Sequence, residues 1–447
     1  MNKKILALTL STASAVAFAD VTLYGKLAVG IENDQFPNSS LSNANSVQDY
    51  GSYFGIRGSD PVYGETAAIW QVETFLDLVS GQAYYNSSNG GLMLRNPNAG
   101  LPGGRVTSEK NVLATSESYL GLQGVWGRLQ LGNLSNYMRS RMNAIDMFNY
   151  GNGANGLTLT SRTTYVLPVS VAYYSPTWGG FSFGGVYSFN NSGQPGIGGI
   201  AGGSTFGGGL NGYYSGGVYS LGMGWGMDNF NLQLGSQIWQ NVGNYIIGNN
   251  SNATGCSSVT STGQCITTPG TTYSNAYVGK LEFSYNDPDS MIIGAGFQIT
   301  DGLGWGSWAN SGGSFNNFIY NPGTQIGGLN SNQYQTQEAF ASFGWHINSW
   351  TPKIGYAHGN NMMTGGTVQN LIWGNANQIA DSGYDQVAAE LDWNITPRTI
   401  AFIGAGRIWW GNTVQNIAFG ATGSVVNGTN QYQNNNQTVA LGFSHTF

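Results

Sequence analysis

The chain has 447 residues, a formal net charge of −6 and only 8% charged residues, against about 25% in typical soluble domains. Its 69 Gly, 25 Tyr, 20 Phe and 13 Trp do not suit an ordinary soluble enzyme, and the acidic balance argues against a nucleic-acid-binding protein. Beyond the N-terminal segment no long apolar run occurs, so the sequence predicts no membrane-spanning helix.

Residues 1–19 have the pattern of a secretory signal peptide. Two lysines precede a short apolar run, and Ala17 and Ala19 are the small residues expected before a cleavage site. A membrane helix needs about 20 apolar residues, which is more than this run supplies. We therefore expect an exported protein whose mature part is one domain comprising residues 20–447.

Five segments alternate apolar and polar residues with the two-residue period of a β-strand. They are Asp20–Glu32, Asn229–Ile238, Tyr277–Tyr285, Asp385–Trp393 and Val439–Phe447. One apolar and one polar face are what a strand between lipid and a water-filled lumen requires. The apolar face of the last segment runs to its terminal aromatic residue. This predicts a closing strand that pairs with the first, because an open sheet edge in lipid leaves backbone groups without partners.

Two kinds of connection separate these strands. Asn286–Ser290 and Asn394–Arg398 read as short turns, whereas Asn33–Gln48 and Asp301–Gln333 read as long polar loops. Short turns at one rim and long loops at the other are typical of bacterial outer-membrane barrels. The glycine-rich stretch Gly193–Gly226 is interpreted as a loop flanked by weak strands.

Tryptophans recur where the predicted strands meet turns, which is where aromatic girdles lie in membrane barrels. The candidates are Trp178, Trp345, Trp350, Trp393, Trp409 and Trp410. Together with the strand pattern, they predict an all-β fold, a transmembrane antiparallel barrel in the outer membrane of a Gram-negative bacterium.

The sequence offers little for catalysis. His346, His358 and His445 lie far apart, and no HExxH, GxSxG or CxxC motif accompanies them. The glycine-rich stretches lack the lysine of a phosphate-binding loop. We therefore expect no enzyme, no cofactor and no metal site, although a Ser or Asp brought beside a His in space remains an open alternative.

Cys256 and Cys265 lie in a long polar loop. In an exported protein two such cysteines are expected to form a disulfide. The alternatives, free thiols or a metal site, have no His or carboxylate nearby to support them.

Charges are concentrated in the first third of the chain. Residues 20–162 carry 20 of the 34 charges that remain without the signal peptide, and Thr163–Gly279 contain one, Asp228. The charges on the polar faces of the early strands are Lys26, Glu32, Arg57, Glu73 and Arg128. These side chains are the candidates for the electrostatics of a lumen.

Several segments resemble, in order, the strands of the general porins of β-proteobacteria, the neisserial type. The matching segments are Asp20–Glu32, Gly51–Glu73, Ser118–Asn133, Val169–Phe183 and the closing GFSHTF at 442–447. The order of these segments spans the whole chain, while residues 190–275 match in character alone.

The resemblance implies a homotrimer of 16-stranded barrels in outer-membrane lipid, each narrowed by a third loop, Leu134–Val166, that folds into the lumen. It also implies passive diffusion of ions and small hydrophilic solutes. In this family Phe447 is the aromatic end that the outer-membrane assembly machinery is thought to recognise.

The same resemblance locates a pore constriction. The third-loop charges are expected to face the wall charges across the narrowest section; the set is Lys26, Arg57, Glu73, Arg128, Arg139, Arg141 and Asp146. Since the chain between Arg162 and Lys280 is almost uncharged, the opposite wall is expected to contribute little. Pro61, Asn133 and Ser444 depart from the family pattern and thin its arginine cluster, which leaves the ion selectivity open.

Two other functions fit the same location. One is a structural or adhesive barrel whose Asn-, Gly- and Ser-rich loops bind a partner and which conducts nothing. The other is an 18-stranded channel specific for a sugar, with aromatic side chains along its lumen.

Overall fold

The computed structural model describes residues 21–35, 44–79, 113–142, 144–149, 166–189, 217–242, 247–248, 256–259, 265–267, 274–301, 334–364, 377–378, 380–411 and 437–447. The predicted signal peptide, residues 1–19, lies outside these ranges. No helix within them is long and apolar enough to cross a membrane.

The described residues form 22 β-strands and one short helix, α1 (Tyr137–Arg141). The strands are β1 (Thr22–Gln35), β2 (Ala44–Asp49), β3 (Tyr53–Tyr63), β4 (Thr66–Phe75), β5 (Ser118–Gly124), β6 (Gly127–Ser135), β7 (Val166–Tyr174), β8 (Phe181–Ser188), β9 (Val218–Met227), β10 (Phe230–Val242), β11 (Ile247–Gly248), β12 (Cys256–Val259), β13 (Cys265–Thr267), β14 (Ser274–Asn286), β15 (Met291–Asp301), β16 (Tyr334–Trp345), β17 (Trp350–Gly359), β18 (Met363–Thr364), β19 (Asn377–Gln378), β20 (Tyr384–Thr396), β21 (Thr399–Trp410) and β22 (Gln437–Thr446). Nineteen of them belong to one antiparallel sheet, and β11, β12 and β13 form a small separate one.

The large sheet closes on itself. β1 pairs with β22 from Lys26 opposite Thr446 to Gln35 opposite Gln437, as the apolar last strand predicts. β2 and β3 are two halves of one barrel strand, since both pair with β1 on either side of a break at Gly51, whose φ is +81°. The short strands β18 and β19 pair with each other, and β18 also pairs with β16. They extend β17 and β20 beyond the ends of these strands. The described residues thus form a closed barrel of 16 strands. This confirms the predicted 16-stranded architecture, and it differs from the 18-stranded alternative.

The two faces of the barrel differ as predicted. Large apolar side chains point outward and are exposed, while inward positions hold buried Gln, Ser, Thr and charged residues. In β9 the outward residues Leu221, Met223 and Trp225 alternate with inward glycines. The interpretation of Gly193–Gly226 as a loop is therefore wrong from Val218 onward, because each glycine fills an inward position of a strand.

The connections follow the predicted division into two rims. β14 and β15 are joined by a turn after Asn286, and β20 and β21 by a turn after Thr396, which confirms both short turns. The expected loop at Asn33–Gln48 is shorter than predicted, because β1 continues to Gln35 and β2 begins at Ala44. These added residues pair with each other and lengthen the barrel wall at the long-loop rim.

Exposed tryptophans mark the short-turn rim. Trp178, Trp345, Trp350 and Trp393 are about half exposed, and the last two stack with ring centroids 5.7 Å apart. Trp409 is exposed near the opposite end of β21. Trp410 was expected in the same girdle, but it is buried on the inward face, with its ring 5.2 Å from that of Tyr384.

The last residue takes part in closing the barrel. The Phe447 amide donates to the Gly25 carbonyl at 3.1 Å, and the Gly25 amide donates back to the Phe447 carbonyl at 3.1 Å. A β-carbon at Gly25 would collide with the Phe447 ring. The C-terminus is thus seated against the first strand.

The two cysteines lie on paired strands of the small sheet. Cys256 begins β12 and lies opposite Thr267, and Cys265 begins β13 and lies opposite Val259. The predicted disulfide concerns side chains outside the described ones, so it stays a prediction.

Candidate functional site

The segment after β6 turns back into the barrel interior. Helix α1 begins after Asn136, whose side chain accepts a hydrogen bond from the Arg139 amide at 2.8 Å and caps the helix. The Tyr137 amide donates to the Ser220 hydroxyl and its hydroxyl donates to Gln233, both at 2.9 Å. Because Ser220 and Gln233 lie on the inward faces of β9 and β10, α1 lies against the inner wall.

Inward glycines make room for this segment, which we call the inner loop (residues 136–142 and 144–149). A β-carbon at Gly222 would collide with the Tyr137 ring, and one at Gly235 would lie 2.5 Å from the Met142 sulfur. At Gly294 it would lie 2.8 Å from a backbone carbonyl of the loop. Part of the unusual glycine content therefore serves close packing between wall and loop.

Two groups of charged wall residues hold the backbone of the inner loop. The first clamp consists of Lys280 and Glu282 of β14. The Lys280 ammonium donates to the Met142 carbonyl at 2.9 Å. The Glu282 carboxylate accepts from the Ala144 amide at 2.9 Å and lies 3.0 Å from Lys280. Both side chains are almost fully buried, at 4% and 2% exposure.

The second clamp consists of Lys353 of β17 with Glu390 and Asp392 of β20. Lys353 donates to the Met147 carbonyl at 2.7 Å and pairs with Glu390 at 3.0 Å and Asp392 at 2.6 Å. Glu390 accepts from the Asn149 amide at 2.8 Å, and the Asn149 side chain donates to Asp392 at 2.8 Å. The three wall residues are buried.

The two clamps repeat one arrangement. In each, a lysine binds the carbonyl of one loop residue, and its carboxylate partner binds the amide two residues further on. Each lysine is paired with acid, so the lysines hold the loop while their own positive charges are compensated. A buried ion pair tolerates the loss of one partner poorly, so we expect the clamps to fix the position of the loop.

The wall on the other side carries more exposed charges. Arg57 lies over the Tyr24 ring, 5.0 Å from its centroid, and is exposed to the lumen. The Tyr24 hydroxyl donates to Glu73 at 2.9 Å, and the Ser116 hydroxyl donates to the same carboxylate at 2.5 Å. Glu73 is thus engaged by two hydroxyls, whereas Arg57 presents its cation to the lumen.

Arg139 of α1 faces acidic groups instead of open space. Burial lowers the pKa of its guanidinium to about 9, and Glu73, Glu117 and Tyr53 oppose that shift. Burial likewise raises the pKa of Glu117, while hydrogen bonding to Ser135 and the charge of Arg139 oppose it. Arg139 therefore stays charged at neutral pH as a contact between loop and wall.

Two further arginines meet at one aromatic ring. Arg128 of the wall and Arg141 of α1 lie 4.9 Å and 5.7 Å from the centroid of Tyr174. Arg141 is exposed and lines a cavity of about 650 Å³ together with Gln233 and Asn231. One positive charge, that of Arg141, thus adjoins open space beside the inner loop, and that of Arg128 lies across the same ring.

The structure gathers the seven predicted site residues in several places rather than one ring. Lys26 lies on β1 and Asp146 on the inner loop. Arg57 and Glu73 share Tyr24. Arg128 and Arg141 share Tyr174. Their role in a constriction remains a proposal.

Sequence reasoning missed the clamps. Their members are Lys280, Glu282, Lys353, Glu390 and Asp392. Charged residues at inward positions of strands mark a lumen, and this signal was available for the four that lie on predicted strands, that is, for all but Lys353. Their partners on the inner loop are backbone groups, which carry no sequence signal.

The chain is similar to known proteins in sequence and in fold. The family model described as Gram-negative porin matches residues 6–413. The major outer membrane protein P.IA of Neisseria meningitidis serogroup C is 29% identical over 199 residues, covering 41% of this chain and 44% of that protein. This match therefore spans less than half of the relative's length. The major outer membrane protein P.IB of Neisseria gonorrhoeae is 24% identical over 437 residues, covering 95% of this chain and 99% of that protein.

Among solved structures, the anion-selective porin from Comamonas acidovorans superposes with a TM-score of 0.57 at 14% sequence identity. The superposition covers 96% of this chain and 100% of that one. At this identity the likeness concerns the fold.

Proposed function

The chain belongs to the Gram-negative porin family, and from this membership we propose that it forms a water-filled channel in the outer membrane for passive diffusion of ions and small hydrophilic solutes. The family description, Gram-negative porin, indicates a channel rather than an enzyme. The observation that carries the proposal is the closed barrel with an apolar outer face, a polar inner face and a loop fixed inside it.

The inner loop is the feature that would set the size limit for solutes. It is attached at β9, β10, β14, β17 and β20 through the contacts described above. A loop fixed to the wall at several points narrows the lumen without closing it. Diffusion through such an opening is expected to be nonspecific and to fall with solute size.

Ion preference is proposed to arise from arginines outside the clamps. Arg57 of the wall and Arg141 of α1 are exposed, and Arg128 shares a ring with Arg141, whereas Lys280 and Lys353 are buried against carboxylates. Charges lining a narrow passage act more strongly than in bulk water. We therefore propose a preference for anions, consistent with the description of the Comamonas acidovorans protein as anion-selective.

The assembled form is proposed to be a homotrimer in outer-membrane lipid, delivered by the outer-membrane assembly machinery. Family membership supports this proposal. The contact of Phe447 with Gly25 supports a role of the C-terminus in closing the barrel.

A liposome-swelling assay tests the proposed function. Vesicles containing the purified protein are diluted into isotonic solutions of sugars of increasing size. We expect swelling rates that fall smoothly with size and do not saturate with concentration. No swelling with any sugar would favour a structural or adhesive barrel, and saturation by one sugar would favour a specific channel.

A further inference from the structure

A group of polar side chains lies on the outside of the barrel, where apolar residues are otherwise the rule. It comprises Gln337, Tyr356, His358, Asn360, Asp385, Arg407 and Trp409, which we call the rim cluster. Its members lie on or directly beside β16, β17, β20 and β21 at the long-loop end of these strands. His358 and Asp385 are 45% and 48% exposed and have the outward orientation of Tyr356 and Ile354.

Hydrogen bonds connect five of these side chains across three strands. The Asp385 carboxylate accepts from the Tyr356 hydroxyl at 2.5 Å and pairs with His358 Nδ1 at 2.8 Å. His358 Nε2 faces the Asn360 side-chain oxygen at 3.2 Å, and Asn360 donates to Gln337 at 3.4 Å. Both nitrogens of His358 thus face side-chain oxygens. The Asp385 carboxylate is contacted by Tyr356 and His358.

Arg407 is the arginine of the cluster, and the acidic residue of the cluster, Asp385, is contacted by other side chains. Arg407 lies one outward position from Trp409 and stacks on its ring, 4.9 Å from the centroid. Among the described residues its guanidinium has no carboxylate or hydrogen-bond partner, and its Nε is buried. An outward arginine without a partner is strongly destabilising at the centre of a bilayer and costs little near its surfaces.

The position of the rim cluster corresponds to the lipid headgroups of the outer leaflet. On β20, Trp393 lies near the short-turn end and Asp385 lies near the long-loop end. The extended chain between them is about 27 Å long at roughly 3.4 Å per residue, or about 21 Å along the membrane normal at a tilt of about 40°. The apolar band of such barrels is about 25 Å tall. Exposed apolar residues such as Leu391 and Ile403 fill the outer face between the two levels.

We propose that the rim cluster is a docking site for the phosphate of an anionic outer-leaflet lipid, with the Arg407 guanidinium as its main contact. The guanidinium matches phosphate in charge and geometry, and Trp409 holds it from one side. The acyl chains would lie along the apolar outer face below. The proposal rests on the outer-membrane location under the proposed function and assigns a bound lipid to one face of the barrel.

The test uses diphosphoryl lipid A as the probe, titrated into the purified protein in a neutral detergent and followed by native mass spectrometry. Arg407→Gln is compared with Arg398→Gln, an equal charge change in the turn at the other end of the same hairpin, where Arg398 is exposed. We expect Arg407→Gln to bind at least about tenfold more weakly, Arg407→Lys to be intermediate and Arg398→Gln to equal the wild type.

Four results would overturn the proposal. They are equal binding by wild type and Arg407→Gln, equal loss in Arg398→Gln, displacement of lipid A by inorganic phosphate, or a loss of trimers in Arg407→Gln with lipid binding unchanged. The third would indicate a site for free anions and the fourth a contact between subunits. Conductance in planar bilayers, measured on the same variants, should be unchanged. If the wild-type protein itself gave no conductance, the proposed channel would be refuted instead.

Discussion

Replacing Lys353 by Met should release the inner loop without unfolding the barrel. Methionine retains most of the volume of the lysine side chain, but it cannot donate to the Met147 carbonyl or to the two carboxylates, which accept at 2.6–3.0 Å. Glu390 and Asp392 would be left buried beside each other without a counter-ion. The strands that carry them stay paired along their whole length.

Removing one partner of a buried ion pair costs about 3–5 kcal/mol. Since the loop, and not the sheet, loses its contacts, this cost falls on the docked state of the loop. It lowers the ratio of docked to undocked loop by roughly a hundredfold to several thousandfold. Lys280→Met leaves a single carboxylate, Glu282, without its partner and should have a smaller effect.

Single-channel recording in planar bilayers measures this effect. Lys353→Met should raise the mean conductance and the open-channel noise, because a loop that leaves the wall opens and closes the passage. Neutralising the stranded carboxylates as well, in Lys353→Met/Glu390→Gln/Asp392→Asn, should bring both quantities back towards the wild type. A Lys353→Met channel as quiet and as narrow as the wild type would refute the reasoning, and so would a larger effect of Lys280→Met.

Three other predictions concern the filter, the closing strand and the small sheet. Arg57→Ser should lower anion preference and Asp146→Asn should raise it, read as opposite shifts of the reversal potential in a KCl gradient; shifts of the same sign would contradict the proposed filter. Deleting Phe447 removes both backbone hydrogen bonds to β1 and should prevent the formation of heat-modifiable trimers, so trimers at the normal level would show that the contact is dispensable. Non-reducing peptide mapping should find Cys256 linked to Cys265, and free thiols at both positions in fresh protein would disprove the disulfide.

The barrel was predictable because its signal is local and periodic. Each strand shows its two faces in its own residues, and the apolar face that ends at Phe447 indicates closure against β1. β9 escaped prediction because its inward positions are glycines. Glycine has no side chain to show a polar face, so the alternation with Leu221 and Met223 looked like loop composition.

The site was predictable in part. The alternation of apolar and polar residues placed Lys26, Arg57 and Arg128 on the polar faces of their strands. This alternation could not show which of the charges are compensated. Lys353 pairs with Glu390 and also holds Met147, which lies 206 residues away in sequence. Such contacts arise only when the barrel closes, so they leave no trace in local sequence.

The opposite wall shows the same limit. It was expected to contribute little to the filter because the chain before Lys280 is almost uncharged. The charged residues that follow this stretch, from Lys280 onward, hold the loop instead of facing the lumen. A small electrostatic effect of this wall remains a prediction, now for a different reason: its lysines are neutralised by their own partners.

The conductance of the purified protein in planar bilayers, measured over a series of KCl concentrations, tests the central claim most directly. A water-filled channel should give uniform steps whose size rises in proportion to the conductivity of the bulk solution, with a reversal potential that indicates anion preference. The absence of steps from correctly folded trimers, or a conductance that saturates as the salt concentration rises, would contradict the account.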